Sequence, residues 1–361
     1  MTDVVNTARS SGKKGLWTTA GRESRPFKVR VTAAVSVVAA LHLVGLGLLA
    51  LNVLTAQAGA VTVGVAALAY FRGLVHSFDF DHISMIDNST RKFVAEGRRP
   101  ASVGLAFSSG HATVVLLTGL LAVSGAGVVQ VAVNENSRVA HVLAVIGLSV
   151  SGLYLLLVAC SNLAAFLAAA RLRGLLRRDP QLVVSAADLT PRGPAARLLS
   201  APLRRVRHPR HVYVVGFLFS LGFDTSSQMG LMVLTGIAAM AGAPAVSLLC
   251  LPFLFAAAMT LGDTSNGLMM LKLYETAVDQ PARKITFNLL VTGVSILSAV
   301  TVAALAVATL LTTQGGLSVE VLQVVAGVHI EHAGFLLAGL FAAIGVVALL
   351  IGRRSSALAT S

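Results

Sequence analysis

Charge is scarce in this 361-residue chain: Asp, Glu, Lys and Arg make up only 12% of it, against about a quarter in a soluble domain. Hydrophobic residues make up 55% and the mean hydropathy is +0.81. That much apolar side chain exceeds what a globular core of this size can hide. A soluble enzyme, a disordered chain and a coiled coil are thereby excluded. Cysteine is nearly absent: Cys160 and Cys250 both lie in apolar runs, which excludes a disulfide framework and a paired-cysteine zinc site. No Gly-rich phosphate loop followed by Lys-Ser or Lys-Thr occurs, and no His-Glu-x-x-His. Acids are few, 15 against 28 basic residues, giving a net charge of +13. The composition is that of an integral membrane protein.

What the chain has instead is long apolar runs. Crossing a bilayer takes about 20 such residues, and eight stretches qualify: about 32–54, 60–86, 103–130, 140–170, 211–238, 244–271, 285–313 and 333–352. The expected fold is all-α, a polytopic bundle of eight transmembrane helices over residues 32–352. A basic cytoplasmic tail (1–31) precedes it and a short tail (353–361) follows. The first run is longer than a signal-peptide core and lacks a clean cleavage site, so it reads as a retained helix. All the basic residues except Arg72 and Arg138 fall in the tails and in alternate loops. The positive-inside rule therefore puts both termini in the cytoplasm. Charge spread over short loops beside spans sets orientation, so no nucleic-acid partner is expected. The Arg-rich loop at about 171–210, ending in His208-Pro209-Arg210-His211, reads as a solvated connector, with anionic lipid as the alternative contact.

An ionisable side chain inside a span costs roughly 2.5 kcal/mol or more, so each one calls for a function or a partner. Span two ends in His76-Ser77-Phe78-Asp79-Phe80-Asp81-His82. On a regular helix, His76, Asp79 and His82 share one stripe, and Asp81 joins it only where the helix is irregular. Two imidazoles and a carboxylate on one stripe suit a borderline divalent metal; proton handling is the alternative. Span three carries His111 beside Gly110 and Thr113, span five has Asp224, Thr225 and Gln228, and span six has Met259, Asp263 and Asn266 at one-turn spacing. Glycines beside these carboxylates allow local unwinding around a polar cavity. Spans two and five enter from opposite sides, each followed by a second polar span, a pattern that suits an inverted repeat, though the sequence likeness is thin. His42, Asn88, Asn162 and Asn288 are further candidates to line a path. His329, Glu331 and His332 read as a solvated loop.

At these residues the chain resembles the nickel/cobalt transporter (NiCoT) family of membrane permeases. The family's His-x4-Asp-His signature is matched by His76, Asp81 and His82, and the match runs on through Ile83, Asp87, Asn88, Thr90, Arg91 and Lys92. Gly110 to Val115, Leu221 to Thr225, and Met259, Asp263, Thr264 and Gly267 match three further motifs; Pro281 to Lys284 and Asn288 also fit. The resemblance covers about residues 35–350. It implies eight spans and uptake of Ni²⁺ or Co²⁺ into the cytoplasm. The residues expected to bind the metal are His76, Asp79, Asp81, His82 and His111, with Asp224 and Asp263 completing the charge balance or forming a second station on the path. His42 and Phe78 fit members that also accept cobalt. The chain departs from the family at Val75 (usually Arg), Phe80 (Ala), Gln228 (Glu) and Asn266 (Asp). Two lost carboxylates make the path less negative while keeping oxygen donors.

The expected protein is thus no enzyme but a secondary permease in the plasma (inner) membrane of a bacterium. It would be driven by the membrane potential, with protons as a candidate coupling ion and no resident cofactor; its partners are the divalent ion and the bilayer, and no motif names a protein partner. An exporter of the same metals ranks second, because exporters of that kind often carry a His-rich loop and this loop is Arg-rich. An intramembrane metalloenzyme is the rival from another class.

Overall fold

The computed structural model describes residues 24–55, 61–124, 138–179, 208–221, 226–240, 242–275, 281–327 and 333–359. Eleven α-helices follow in order: α1 (Phe27–Leu54), α2 (Val63–His76), α3 (Phe80–Ala95), α4 (Val103–Ser124), α5 (Arg138–Arg178), α6 (Pro209–Phe219), α7 (Ser226–Met240), α8 (Ala245–Glu275), α9 (Pro281–Thr309), α10 (Glu320–Ala326) and α11 (Ala333–Ala359). A single π turn, Leu310–Gln314, extends α9. No strand occurs among the described residues. Among the described residues, five segments are long and apolar enough to cross a membrane: Phe27–Leu54, Val103–Leu121, His141–Arg178, Ala245–Glu275 and Leu289–Thr312.

Three expectations change. The run at 60–86 is not one helix: α2 stops at His76 and α3 begins at Phe80. The run at 211–238 is likewise divided between α6 and α7, and residues 222–225 between them lie outside the described set. Arg171, Arg173, Arg177 and Arg178, read as loop, continue α5 as helix. Long straight side chains such as Arg carry good helix propensity, so the helix runs past the apolar stretch.

The most enclosed helix is α8, 72% buried over its apolar window. Its Leu251, Leu254 and Phe255 form one core with Ala66 and Ala69 of α2 and Val115 of α4. A second core joins Met85 and Phe93 of α3 to Phe107 of α4, Leu155 and Val158 of α5, Val212 of α6 and Ala303 of α9. Where α3 meets α11, Ile83, Phe341 and Leu337 pack with Met270 of α8 and Val291 of α9. At the end where α1 begins, the Arg99 guanidinium holds the Glu275 carboxylate through two hydrogen bonds of 2.5 and 2.7 Å, and Arg30 donates to the Arg99 carbonyl at 2.8 Å. The Glu275 carboxylate beside it raises the pKa of Arg99 above the usual arginine value.

The two divided spans are alike in detail. Gly73, Ser77, Phe80, Asp81 and Ser84 recur at the same spacing as Gly216, Ser220, Phe223, Asp224 and Ser227. Both first halves end on the serine in nearly the same backbone conformation, φ −65°, ψ −13° at Ser77 and φ −68°, ψ −10° at Ser220. Gly73 lies against the Phe255 backbone of α8, and Gly216 against the Phe107 backbone of α4. In both places a Cβ would overlap a carbonyl oxygen, so only glycine permits the approach.

Candidate metal centre

The break between α2 and α3 builds the site. Ser77 closes α2, and Asp79 stands at the N-cap of α3 with extended backbone, φ −61° and ψ 142°. The Ser77 hydroxyl donates to the Leu74 carbonyl at 2.7 Å, and Asp is favoured at an N-cap because its side chain can satisfy unpaired helix N–H groups. Here the Asp79 carboxylate makes no capping bond. It turns back instead and accepts from His76 Nδ1–H at 2.6 Å. The single stripe expected of a continuous helix is therefore absent, and the break does its work by folding His82 back against His76, ring centroids 4.5 Å apart.

His111 of α4 completes the group. The candidate ligand atoms of His76, His82 and His111 all lie within 4.8 Å of one another, and all three side chains are buried. His82 Nδ1–H donates to the Asp263 carboxylate of α8, 3.1 Å to one oxygen and 3.3 Å to the other. Two imidazoles are thus each held at Nδ1 by a carboxylate, which fixes the tautomer and leaves Nε2 with its lone pair toward the cluster. His82 Nε2 has no hydrogen-bond partner among the described residues. His76 Nε2 sits 3.1 Å from His111 Nε2; since His76 Nδ1 is the donor to Asp79, its Nε2 accepts and His111 supplies the proton. Phe107, Phe219 and Phe255 wall the cluster, with centroids 4.9 Å from His82, 6.4 Å from His111 and 5.5 Å from His76. The surroundings are apolar, so charge placed there interacts strongly with its ligands.

Glycine crossings bring the three helices close enough for short side chains to meet. Gly110 of α4 lies against the Tyr213 carbonyl of α6, and Gly104 against the Asp263 carbonyl of α8.

The other residues singled out by sequence divide clearly. Asp81 is half-buried at the start of α3 and accepts from the His82 backbone N–H at 2.7 Å. Both ring nitrogens of His42 are engaged, Nδ1 on the Val38 carbonyl one turn earlier in α1 (2.8 Å) and Nε2 on the Tyr70 hydroxyl of α2 (3.1 Å). Thr113 pairs with the Tyr213 hydroxyl at 2.9 Å, and Asn162 donates to Asn88 at 2.7 Å. Met259 is buried in the α8 core. Asn266 is buried with neither amide atom partnered among the described residues. Asp224 and Thr225 lie outside the described residues, as do His329, Glu331 and His332; the side chains of Gln228 and Asn288 are likewise outside them.

Sequence reasoning missed a second polar layer on the face of α3 opposite His82. Ser84, Asp87, Asn88 and Arg91 recur there at three- and four-residue spacing. Ser84 meets Ser298 of α9 at 3.2 Å, the Tyr274 hydroxyl of α8 donates to Asp87, and Arg91 donates to Thr292 of α9. The signal was available in that spacing; the three aromatic walls carried none.

Apolar helices wrapped around a buried cluster of imidazoles and carboxylates define the class: a multi-pass membrane protein with the donor set of a transition-metal transporter. The chain belongs to the family described as high-affinity nickel-transport protein, whose sequence profile matches residues 62–351. It is 38% identical over 322 residues to the nickel transporter NicT of Mycobacterium tuberculosis, covering 88% of this chain and 87% of that one. It is 33% identical over 310 residues to the high-affinity nickel-transport protein NixA of Helicobacter pylori, covering 83% and 90%. It is also 34% identical over 324 residues to the cobalt transport protein NhlF of Rhodococcus rhodochrous, covering 86% of each. No solved structure matches. Family and relatives are transporters, and the chain is no enzyme.

Proposed function

We propose that this protein is a secondary permease that carries Ni²⁺ or Co²⁺ into the bacterial cytoplasm across the plasma membrane. The observation that carries the reading is the separation of the His76 and His111 Nε2 atoms, 3.1 Å. Two nitrogens bound to one ion at about 2.1 Å and at right angles are about 3.0 Å apart. The cation takes the place of the proton that His111 now shares with His76, which moves to His111 Nδ1 so that the ring stays neutral, and His82 Nε2 supplies the third nitrogen. Asp79 and Asp263 orient His76 and His82 and offset the ion's charge. Asp81 and Asp224, matched acids of the two repeated spans, serve a further station along the path.

The five long helices, the divided pairs α2–α3 and α6–α7, and α11 make eight crossings, with both termini and the Arg-rich segments on the cytoplasmic side. A divalent ion entering a negative-inside cell gains about 4.6 kcal/mol per 100 mV, enough for accumulation without ATP. Imidazole must be neutral to bind metal, so a ring that is protonated gives up its proton when the ion enters. NicT, NixA and NhlF, by name transporters of nickel or cobalt, support the choice of cargo.

The test is accumulation of ⁶³Ni and ⁵⁷Co in cells with and without the protein. Uptake above control that collapses with the membrane potential, and is abolished in His76→Ala and His82→Ala at normal membrane abundance, is expected. Metal below control means export, and wild-type uptake by either variant overturns the ligand assignment.

A further inference from the structure

We propose that the groove between α5 and α9 is a binding site for one anionic phospholipid. Helices α5 and α9 face each other over a cavity of about 590 Å³, within the range of ligand sites. The cavity exists because two glycines face it. A Cβ at Gly174 of α5 would meet nothing within 4 Å, and one at Gly293 of α9 only the Phe166 ring, at 3.6 Å.

The groove is polar at one end and apolar at the other. Arg173 and Arg177 line it one helical turn apart on α5, about 6 Å of rise. Neither guanidinium has a hydrogen bond or ion pair among the described residues. Phe166 and Leu297 line the far end, about two turns from Arg173 along α5. Leu290 and Leu297 of α9 are 60% and 69% exposed; both lie in an apolar membrane-crossing segment, so the groove opens onto the bilayer.

That polarity matches a phospholipid: acyl chain against Phe166 and Leu297, phosphate on the two guanidiniums, which grip phosphate oxygens in a fork that an ammonium cannot form. No acidic side chain lines the groove among the described residues. A zwitterionic headgroup would bring an ammonium with no carboxylate to meet it, so the site favours a net negative lipid such as phosphatidylglycerol. Basic pockets between membrane helices on the cytoplasmic side take such headgroups, and the topology proposed above puts Arg173 and Arg177 on that side.

The test uses the purified full-length protein in detergent, with thermal shift and native mass spectrometry read together. Phosphatidylglycerol should bind one molecule per chain and raise the midpoint, at least fivefold more tightly than phosphatidylcholine; glycerol 3-phosphate should do neither. R173Q/R177Q should abolish the preference while keeping the lipid-free midpoint. Gly293→Leu, which fills the apolar end and leaves both arginines, should weaken phosphatidylglycerol binding by a similar factor. Equal binding of the two lipids by the wild type overturns the proposal, as does undiminished preference in R173Q/R177Q. A midpoint shift by glycerol 3-phosphate equal to that by lipid would make this a free-anion site and also overturn it. No metal enters the assay, so its outcome is independent of the transport reading.

Discussion

Asp263→Asn distinguishes a carboxylate that binds the ion from one that holds its ligand. The Asp263 oxygens lie 3.1 and 3.3 Å from His82 Nδ1, while His82 Nε2 is the ring nitrogen left without a hydrogen-bond partner among the described residues. Asparagine keeps the size and one oxygen acceptor but removes the negative charge that makes His82 a stronger donor. Loss of such a supporting carboxylate typically weakens metal binding 10- to 100-fold, or about 1.4 to 2.8 kcal/mol. The assay is isothermal titration of Ni²⁺ into purified protein, for the wild type, D263N, H82A and the double variant. If Asp263 acts only through His82, D263N costs nothing further once His82 is gone. The double variant should then bind as H82A does. Additive losses would refute the reasoning and make Asp263 a ligand in its own right.

Gly73→Leu should leave little folded protein, because the side chain must displace the Phe255 backbone. Overpacking costs about 1–3 kcal/mol or more, and a lost monodisperse peak in size exclusion is the readout. Tyr274→Phe removes the hydroxyl that donates to buried Asp87, which should cost about 1–3 kcal/mol. It should lower the thermal midpoint while Ni²⁺ affinity stays within twofold, since Asp87 faces away from the imidazoles. His42→Ala should retain more than half of wild-type uptake, because its ring nitrogens are taken up by the Val38 carbonyl of α1 and the Tyr70 hydroxyl of α2. Asn266→Asp, which restores the acid usual in related permeases, should tighten Ni²⁺ binding severalfold in the same titration.

Membrane character and the positions of His76, His82, His111 and Asp263 are legible in the chain because polar groups in apolar runs stand out against a quiet background. The break after His76 is not, although Ser77 and Asp79 both favour helix ends. In a long apolar run the 3.6-residue period carries the reading through, and only packing of α2 on α8 at Gly73 decides where the chain turns. Asp79 illustrates the limit: helical spacing puts it on one stripe with His76, whereas the chain breaks between them and the carboxylate accepts from His76 Nδ1–H. The internal repeat was equally hard to see. Five matched residues at fixed spacing are weak as sequence, and become strong once both segments end on a serine of the same conformation. The aromatic walls were invisible, since a phenylalanine facing imidazoles looks like any other core residue until the helices are placed.

All three imidazoles lie on α2, α3 and α4, whereas α8 contributes Asp263 and Phe255 and α6 contributes Phe219. A displacement of α8 against α2, α3 and α4 would break the His82–Asp263 bond and leave the nitrogen triad whole. On the transport reading proposed above, choice of ion and speed of release would be carried by different parts of the chain. Substitutions on α8 would then alter turnover with the preferred metal unchanged, and a protein built this way could be retuned in one property without sacrificing the other.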